Sequence, residues 1–84
     1  MHEEMIRELS WFARENRLLF DYWFDEESRN YYFTFYSKDR AWGYRREFSE
    51  EQLDLFNGST VVFAYDIINT LRRKIYGDTT SVSF

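Results

Sequence analysis

The chain has 84 residues, no cysteine and a net charge of −4, and aromatic residues make up 23% of it. Because disulfides and thiolate zinc sites are excluded, one small domain must be stabilised by a single apolar core, to which each large ring contributes about 150–250 Å² of burial. The acidic balance argues against a general nucleic-acid binder, whose affinity comes largely from phosphate neutralisation.

The charge is distributed in blocks along the chain. Residues 1–28 carry a net −5, residues 29–46 carry +4, residues 47–66 carry −5 and residues 67–84 carry +2. The acidic amino terminus does not match a secretory signal, and no apolar stretch approaches the roughly 20 residues that span a bilayer. We therefore expect a cytoplasmic protein without a membrane segment.

The first half of the chain predicts a helix followed by three strands. Apolar residues recur with helical spacing over residues 2–16. Period-two alternation then predicts strands over Leu18–Asp25, Tyr31–Ser37 and Ala41–Phe48, separated by short polar turns. Short connections make neighbouring strands antiparallel, so these three segments should form a meander.

The second half predicts two further helices. Ser49 followed by Gln52 forms a capping box, and Phe48 with Leu53 forms a hydrophobic staple, so a short helix should run from Glu50 to about Phe56. A longer helix should follow Ser59 or Thr60, with its apolar stripe formed by Val61, Ala64, Tyr65, Ile68, Leu71 and Ile75. The alternative is a hairpin within residues 53–63, turning at Asn57-Gly58.

The element order is therefore α-β-β-β-α-α. It predicts a two-layer α+β domain over residues 1–77, in which the helices pack on one face of a three-stranded antiparallel meander. Residues 78–84 are expected to form a C-terminal tail, either frayed or added to the sheet as an edge strand.

Alternation divides the strand residues between two faces. One face is almost wholly apolar: Leu18, Phe20, Tyr22, Phe24, Tyr31, Phe33, Phe35, Trp42, Tyr44 and Phe48. The other mixes rings with charge: Leu19, Asp21, Trp23, Asp25, Tyr32, Thr34, Tyr36, Lys38, Arg45 and Glu47. Since the helices cover only one face, Trp23, Tyr32 and Tyr36 are expected at the surface, where rings beside charge are typical of a contact patch.

Catalytic and metal motifs are missing from the sequence. The single histidine, His2, lies at a terminus that is expected to be mobile, so no positioned imidazole base is predicted. Asp21 and Asp25 share a strand face but lie about 13 Å apart along it, too far to hold one ion. We expect no enzyme activity, no metal and no cofactor.

The small size, the acidic balance, the lack of cysteine and the helix–meander–helix order resemble those of small phage anti-defence proteins, including some anti-CRISPR inhibitors of Cas nucleases. The resemblance covers most of the chain and rests on architecture and charge. It implies an inhibitor, encoded by a phage or mobile element, that occupies a surface of a host defence or nucleic-acid-processing protein.

The residues and the resemblance together predict a non-enzymatic protein-binding module. Its partner-binding residues would be the three rings with the acidic residues beside them: Trp23, Tyr32, Tyr36, Asp21, Asp25, Glu26 and Glu27. One alternative is a homodimer that pairs through the same aromatic face. Another is a module for single-stranded nucleic acid, in which the rings stack on bases and arginines contact phosphate: Arg29, Arg40, Arg45 and Arg46.

Overall fold

The computed structural model describes residues 2–76. Its elements follow the order α1 (Glu3–Glu15), β1 (Leu18–Asp25), β2 (Asn30–Ser37), β3 (Gly43–Ser49), α2 (Glu50–Asp54) and α3 (Val61–Ile75). The strands form one antiparallel sheet in the order β1-β2-β3. The predicted α+β meander is therefore confirmed, whereas the predicted tail lies outside the described residues.

The capping box at the start of α2 is confirmed. The Ser49 hydroxyl accepts a hydrogen bond from the Gln52 amide at 3.1 Å, and the Gln52 side chain accepts one from the Ser49 amide at 2.8 Å. α2 ends at Asp54, two residues earlier than predicted, and the hairpin alternative is wrong because a helix begins at Val61.

β3 begins at Gly43 rather than at Ala41 because the preceding turn is held by side chains. The Asp39 carboxylate accepts hydrogen bonds from the Ser37 hydroxyl at 2.7 Å and from the Ala41 amide at 3.0 Å. These bonds hold residues 39–41 in a compact turn, so pairing with β2 starts later.

The core lies between the helices and the inner face of the sheet. Phe33 and Phe35 on the central strand are 1% and 0% exposed, and burial of such a side chain contributes about 1.5–3 kcal/mol. The three helices and β3 add the remaining buried apolar residues: Met5, Leu9, Phe12, Ala13, Phe48, Leu53, Ala64, Ile67, Ile68 and Leu71.

The buried stripe of α3 differs from the predicted one. Tyr65 was expected in the core, but it is 49% exposed, and Ile67 is buried instead. α3 is therefore rotated so that Ala64, Ile67, Ile68 and Leu71 face inward, which leaves Tyr65 beside α1.

α1 and α3 lie side by side and run in the same direction. Near their first turns the Ser59 hydroxyl donates to Glu4 at 3.0 Å, and near their last turns the Tyr76 hydroxyl donates to Asn16 at 2.8 Å. Within residues 2–76 no helix is long and apolar enough to cross a membrane.

His2 is held in place, contrary to the expectation of a mobile terminus. Its side chain is buried, and its Nε2 lies 2.7 Å from the Asp54 carboxylate. The Tyr31 hydroxyl donates to the same carboxylate at 3.0 Å, and burial together with Asp54 raises the pKa of Tyr31. One carboxylate thus joins the amino terminus, the central strand and the end of α2.

Replacing this shared carboxylate should destabilise the fold. Asp54→Ala leaves the buried His2 ring and the Tyr31 hydroxyl without their partner, so we expect a loss of about 2–3 kcal/mol in the free energy of unfolding by urea. Glu51→Ala, on the same helix but exposed, should change that energy by less than about 0.5 kcal/mol. Equal effects of the two substitutions would contradict the structural role of Asp54.

Arg17, between α1 and β1, adopts a left-handed backbone conformation with φ of 58°. This conformation costs residues other than glycine about 1–2 kcal/mol. Glycine adopts it without that cost but loses more conformational entropy on folding. Arg17→Gly should therefore raise the unfolding free energy by roughly 0.5–1 kcal/mol. Arg14→Gly, in the last turn of α1, should lower it by about 1 kcal/mol. Thermal denaturation measures both, and a destabilising Arg17→Gly would refute the prediction.

Candidate functional site

The outer face of the sheet carries a stack of two rings and one guanidinium. Trp23 of β1 lies directly opposite Tyr32 of β2, and the two rings stack with centroids 5.3 Å apart at 18°. The Arg45 guanidinium of β3 lies 4.9 Å from the Tyr32 ring centroid and 5.6 Å from that of Trp23. Because the stack packs flat groups on one another, its position is well defined before any partner binds.

The third predicted ring, Tyr36, lies further along the same face. It is paired with Leu19 of β1 and with Gly43 of β3. Gly43 has no side chain to cover its neighbour, and the Arg40 guanidinium lies 4.8 Å from the Tyr36 ring centroid. The rings and these two arginines form one surface, which we call the outer patch: Trp23, Tyr32, Tyr36, Arg40 and Arg45.

The predicted acidic residues take two different roles. Asp21 is exposed on the outer face, and Glu26 and Glu27 are exposed in the β1–β2 turn. The Asp25 carboxylate instead accepts hydrogen bonds from the Ser28 hydroxyl at 2.7 Å and the Ser28 amide at 3.0 Å. Asp25 therefore closes the turn, whereas the other three carboxylates face solvent beside the outer patch.

The four arginines of the nucleic-acid alternative do not share one face. Arg29 pairs with Glu50 through two hydrogen bonds of 2.7 and 3.1 Å, which also raise its pKa. Arg46 lies on the inner face, where it pairs with Asp66 of α3 at 2.8 Å. Only Arg40 and Arg45 lie beside the predicted rings. Of these rings, Trp23 is exposed, while Tyr32 and Tyr36 are half-buried rather than fully at the surface. The structure therefore does not assemble the proposed phosphate contacts.

A groove that no sequence pattern predicted lies along the free edge of β1, between that strand and α1. Its larger part is a cleft of about 540 Å³ at the end of the strand, lined by aromatic side chains of the inner face and by the start of α1. Tyr22, expected under the helices, is 49% exposed there. The short α1 does not cover this end of the sheet.

Another cleft between β1 and α1 lies at the beginning of the same strand. Its volume is about 320 Å³, and it is lined by Leu18, Leu19 and Phe20 and by residues from the end of α1. We call the two clefts together the edge groove. No sequence pattern indicated it, because it depends on how far α1 extends over the sheet.

The helical layer has an exposed aromatic surface of its own. Trp11 of α1 is 59% exposed and lines a cleft of about 270 Å³ together with Tyr65 of α3. The position of Trp11 outside the apolar stripe of α1 is the feature of the sequence that could have indicated this surface.

Acid–base and metal chemistry find little support in these contacts. The His2 imidazole is engaged with Asp54 and lies against the Tyr31 ring, with centroids 5.2 Å apart. In the part of the chain that the structure describes, no three histidine, aspartate or glutamate side chains are grouped to hold a metal ion. The arrangement is suited to contact with another molecule through rings and charge.

Comparison with models of known protein families, with curated proteins and with solved structures found no match to this chain.

The turn contact of Asp25 predicts a pH-dependent stability. Its hydrogen bonds from the Ser28 hydroxyl and amide hold the Asp25 pKa below its ordinary value of 3.8. The stabilisation is therefore complete above that value and is lost as the pH falls through the lower pKa of the folded state. Urea unfolding should show wild type more stable than Asp25→Asn at neutral pH, with the difference shrinking as the pH falls below 3.8.

The hydroxyl donor provides the matched control. When Ser28 is replaced by alanine, the effect of Asp25→Asn on the unfolding free energy should depend less on pH, because one of the two hydrogen-bond donors to Asp25 is lost. A difference that is the same at neutral and acidic pH would show that the carboxylate charge does not stabilise the turn.

Proposed function

We propose that this protein is a non-enzymatic binding module that contacts a protein partner through the outer patch. The observation that supports this function is the stack of Trp23, Tyr32 and Arg45 on the sheet face opposite the one on which the helices of residues 2–76 pack. Tryptophan, tyrosine and arginine are the residue types that most often dominate binding energy at protein interfaces.

The charges around the patch favour a protein over bare phosphate. Asp21, Glu26 and Glu27 lie beside the rings and would repel a nucleic-acid backbone, whereas Arg40 and Arg45 would attract one. A surface with both signs complements a protein surface with both signs, and such complementarity guides orientation and association rate. We therefore do not propose the nucleic-acid alternative.

The class of partner that we propose is a host defence or nucleic-acid-processing protein. The support is the resemblance in architecture and charge to small phage anti-defence proteins, together with the exposed carboxylates of Asp21, Glu26 and Glu27. Carboxylates can imitate the phosphates that such a protein binds in a basic cleft, and would steer the inhibitor toward it.

Self-association through the outer patch is the second candidate function. The β1–β2 turn carries Glu26 and Glu27, and the β2–β3 turn at the opposite end of the face carries Lys38 and Arg40. Two copies packed face to face with antiparallel strands would match the acidic end of one copy with the basic end of the other. Sedimentation velocity over a range of concentrations distinguishes this dimer from a monomer that awaits another protein.

The double substitution Trp23→Ala with Tyr36→Ala should abolish partner binding and preserve the fold. Loss of central aromatic contacts costs at least about 2 kcal/mol each, so the loss of two should weaken binding by roughly 1,000-fold. The measurement is affinity capture from host lysate with mass spectrometry, followed by the dissociation constant of the purified partner. Trp11→Ala is the matched control, because it removes an exposed tryptophan from the helical layer.

Three results would refute this function. The partner could bind the double variant as tightly as wild type, or Trp11→Ala could weaken binding equally. A double variant that no longer folds, as judged by circular dichroism, would show that the rings stabilise the sheet instead. Loss of a concentration-dependent dimer in the double variant would favour self-association.

A further inference from the structure

We propose that the edge groove binds an extended, acidic peptide segment of a partner chain, which adds to the sheet as a fourth strand beside β1. The groove shares Trp23 with the outer patch, but its other residues and its chemistry are its own. The proposal rests on three independent properties of the groove: a free strand edge, a set of unpaired cations and two apolar clefts at a fixed spacing.

The free edge of β1 exposes main-chain N–H and C=O groups at the regular spacing of a β-strand. All eight residues of β1 pair with β2 on one side. The other side pairs with no strand of residues 2–76, and the one further main-chain bond of β1, from the Arg29 amide to the Asp25 carbonyl at 2.8 Å, lies within the β1–β2 turn. Unpaired edges of this kind recruit extended peptides, because another peptide main chain matches their periodic donors and acceptors.

Among residues 2–76, the cations along the groove have no partners of their own. Arg7 lines the larger cleft, and Arg14, Arg17 and Lys38 line the smaller one. In the described part of the chain their side chains form no ion pair and contact no aromatic ring.

Most of the remaining cations are engaged elsewhere. Arg29 and Arg46 form ion pairs, and four other cations lie over rings: Arg40, Arg45, Arg72 and Lys74. Arg73 on α3 is the other cation without a described partner. The unengaged positive charge is therefore concentrated beside β1, where acidic side chains of a bound peptide would be attracted.

The two clefts set the spacing of the peptide's apolar side chains. Phe24 lines the larger cleft and Phe20 the smaller one, and residues four apart on a strand are separated by about 13 Å. A paired strand would therefore place two large apolar side chains, four residues apart, in the groove. Three of the four cations flank the smaller cleft, so acidic residues should be concentrated at that end of the peptide.

A peptide fits these features better than a nucleic acid does. Phosphates would use the cations only, leaving the β1 edge unpaired and both apolar clefts empty. Glu3 at the larger cleft would also repel a phosphate backbone.

Selection of random 12-residue peptides displayed on phage, with the full chain as the target, tests the proposal. The selected peptides should share two large apolar residues four positions apart and an acidic cluster near one of them. A fluorescein-labelled synthetic copy then gives a dissociation constant by fluorescence polarisation. Arg7→Glu and Arg14→Glu should each weaken binding at least tenfold, whereas Arg73→Glu, the matched control, should leave it unchanged.

Main-chain pairing has a separate readout. Two peptides are compared, one N-methylated at its odd positions and one at its even positions. Only one of these modifications should abolish binding, because only every second amide of an edge strand faces its neighbour. Amide chemical shifts of Leu18–Asp25 should change on binding, and those of β3 should not. Tyr36→Ala should retain peptide binding, so failure of this proposal and failure of the outer patch are distinguishable.

Several outcomes would overturn the proposal. Selected peptides could lack acidic residues, no peptide could be selected, or N-methylation could leave binding unchanged in both alternate sets of residues. Displacement of the peptide by oligodeoxythymidylate would assign the groove to nucleic acid. If the peptide binds only after residues 77–84 are removed, the groove is occupied by the chain's own tail. If the protein forms a dimer and Arg7→Glu abolishes it, the groove is occupied by a second copy of the chain.

Discussion

Phe33 and Phe35 on the central strand lie under the helices, and their burial decides the orientation of the whole sheet. Since side chains alternate along a strand, a shift of one residue would place these rings in solvent and bring Tyr32 and Tyr36 inside. The cost of exposing two fully buried phenylalanines prevents that shift. The aromatic outer face is therefore a consequence of core packing.

α1 separates the charges of the protein into two regions. Glu4 and Glu8 lie on its flank beside α3, where Glu4 binds Ser59 and Glu8 lines the cleft with Tyr65. Arg7 and Arg14 lie on the opposite flank, beside β1. As a result, Arg14, Arg17 and Lys38 lie together at the beginning of β1, although the protein as a whole is acidic.

The two proposed surfaces meet at β1. Trp23 contributes its ring to the outer patch and also lines the larger cleft of the edge groove. One partner could therefore cover the outer face and pair with the strand edge at the same time. A thin sheet with a single layer of helices makes this possible, because one of its faces and one of its edges remain uncovered.

Local patterns in the sequence were sufficient for the secondary structure and for the assignment of the rings to faces. Period-two alternation placed β1 at its observed bounds and Trp23, Tyr32 and Tyr36 on one face, and the capping box located the start of α2. These features depend on residues only a few positions apart in the sequence. The sequence therefore determines them independently of how the helices pack.

Which charged side chains are paired with a partner, and which are not, was decided by the tertiary structure alone. Arg46 and Asp66 are 20 residues apart and His2 and Asp54 are 52 apart, so their contacts depend on the rotation of α3 and the position of α2. The edge groove likewise exists because α1 leaves one end of the sheet uncovered. Side-chain pairing over such distances follows from helix packing, which no periodicity in the sequence encodes.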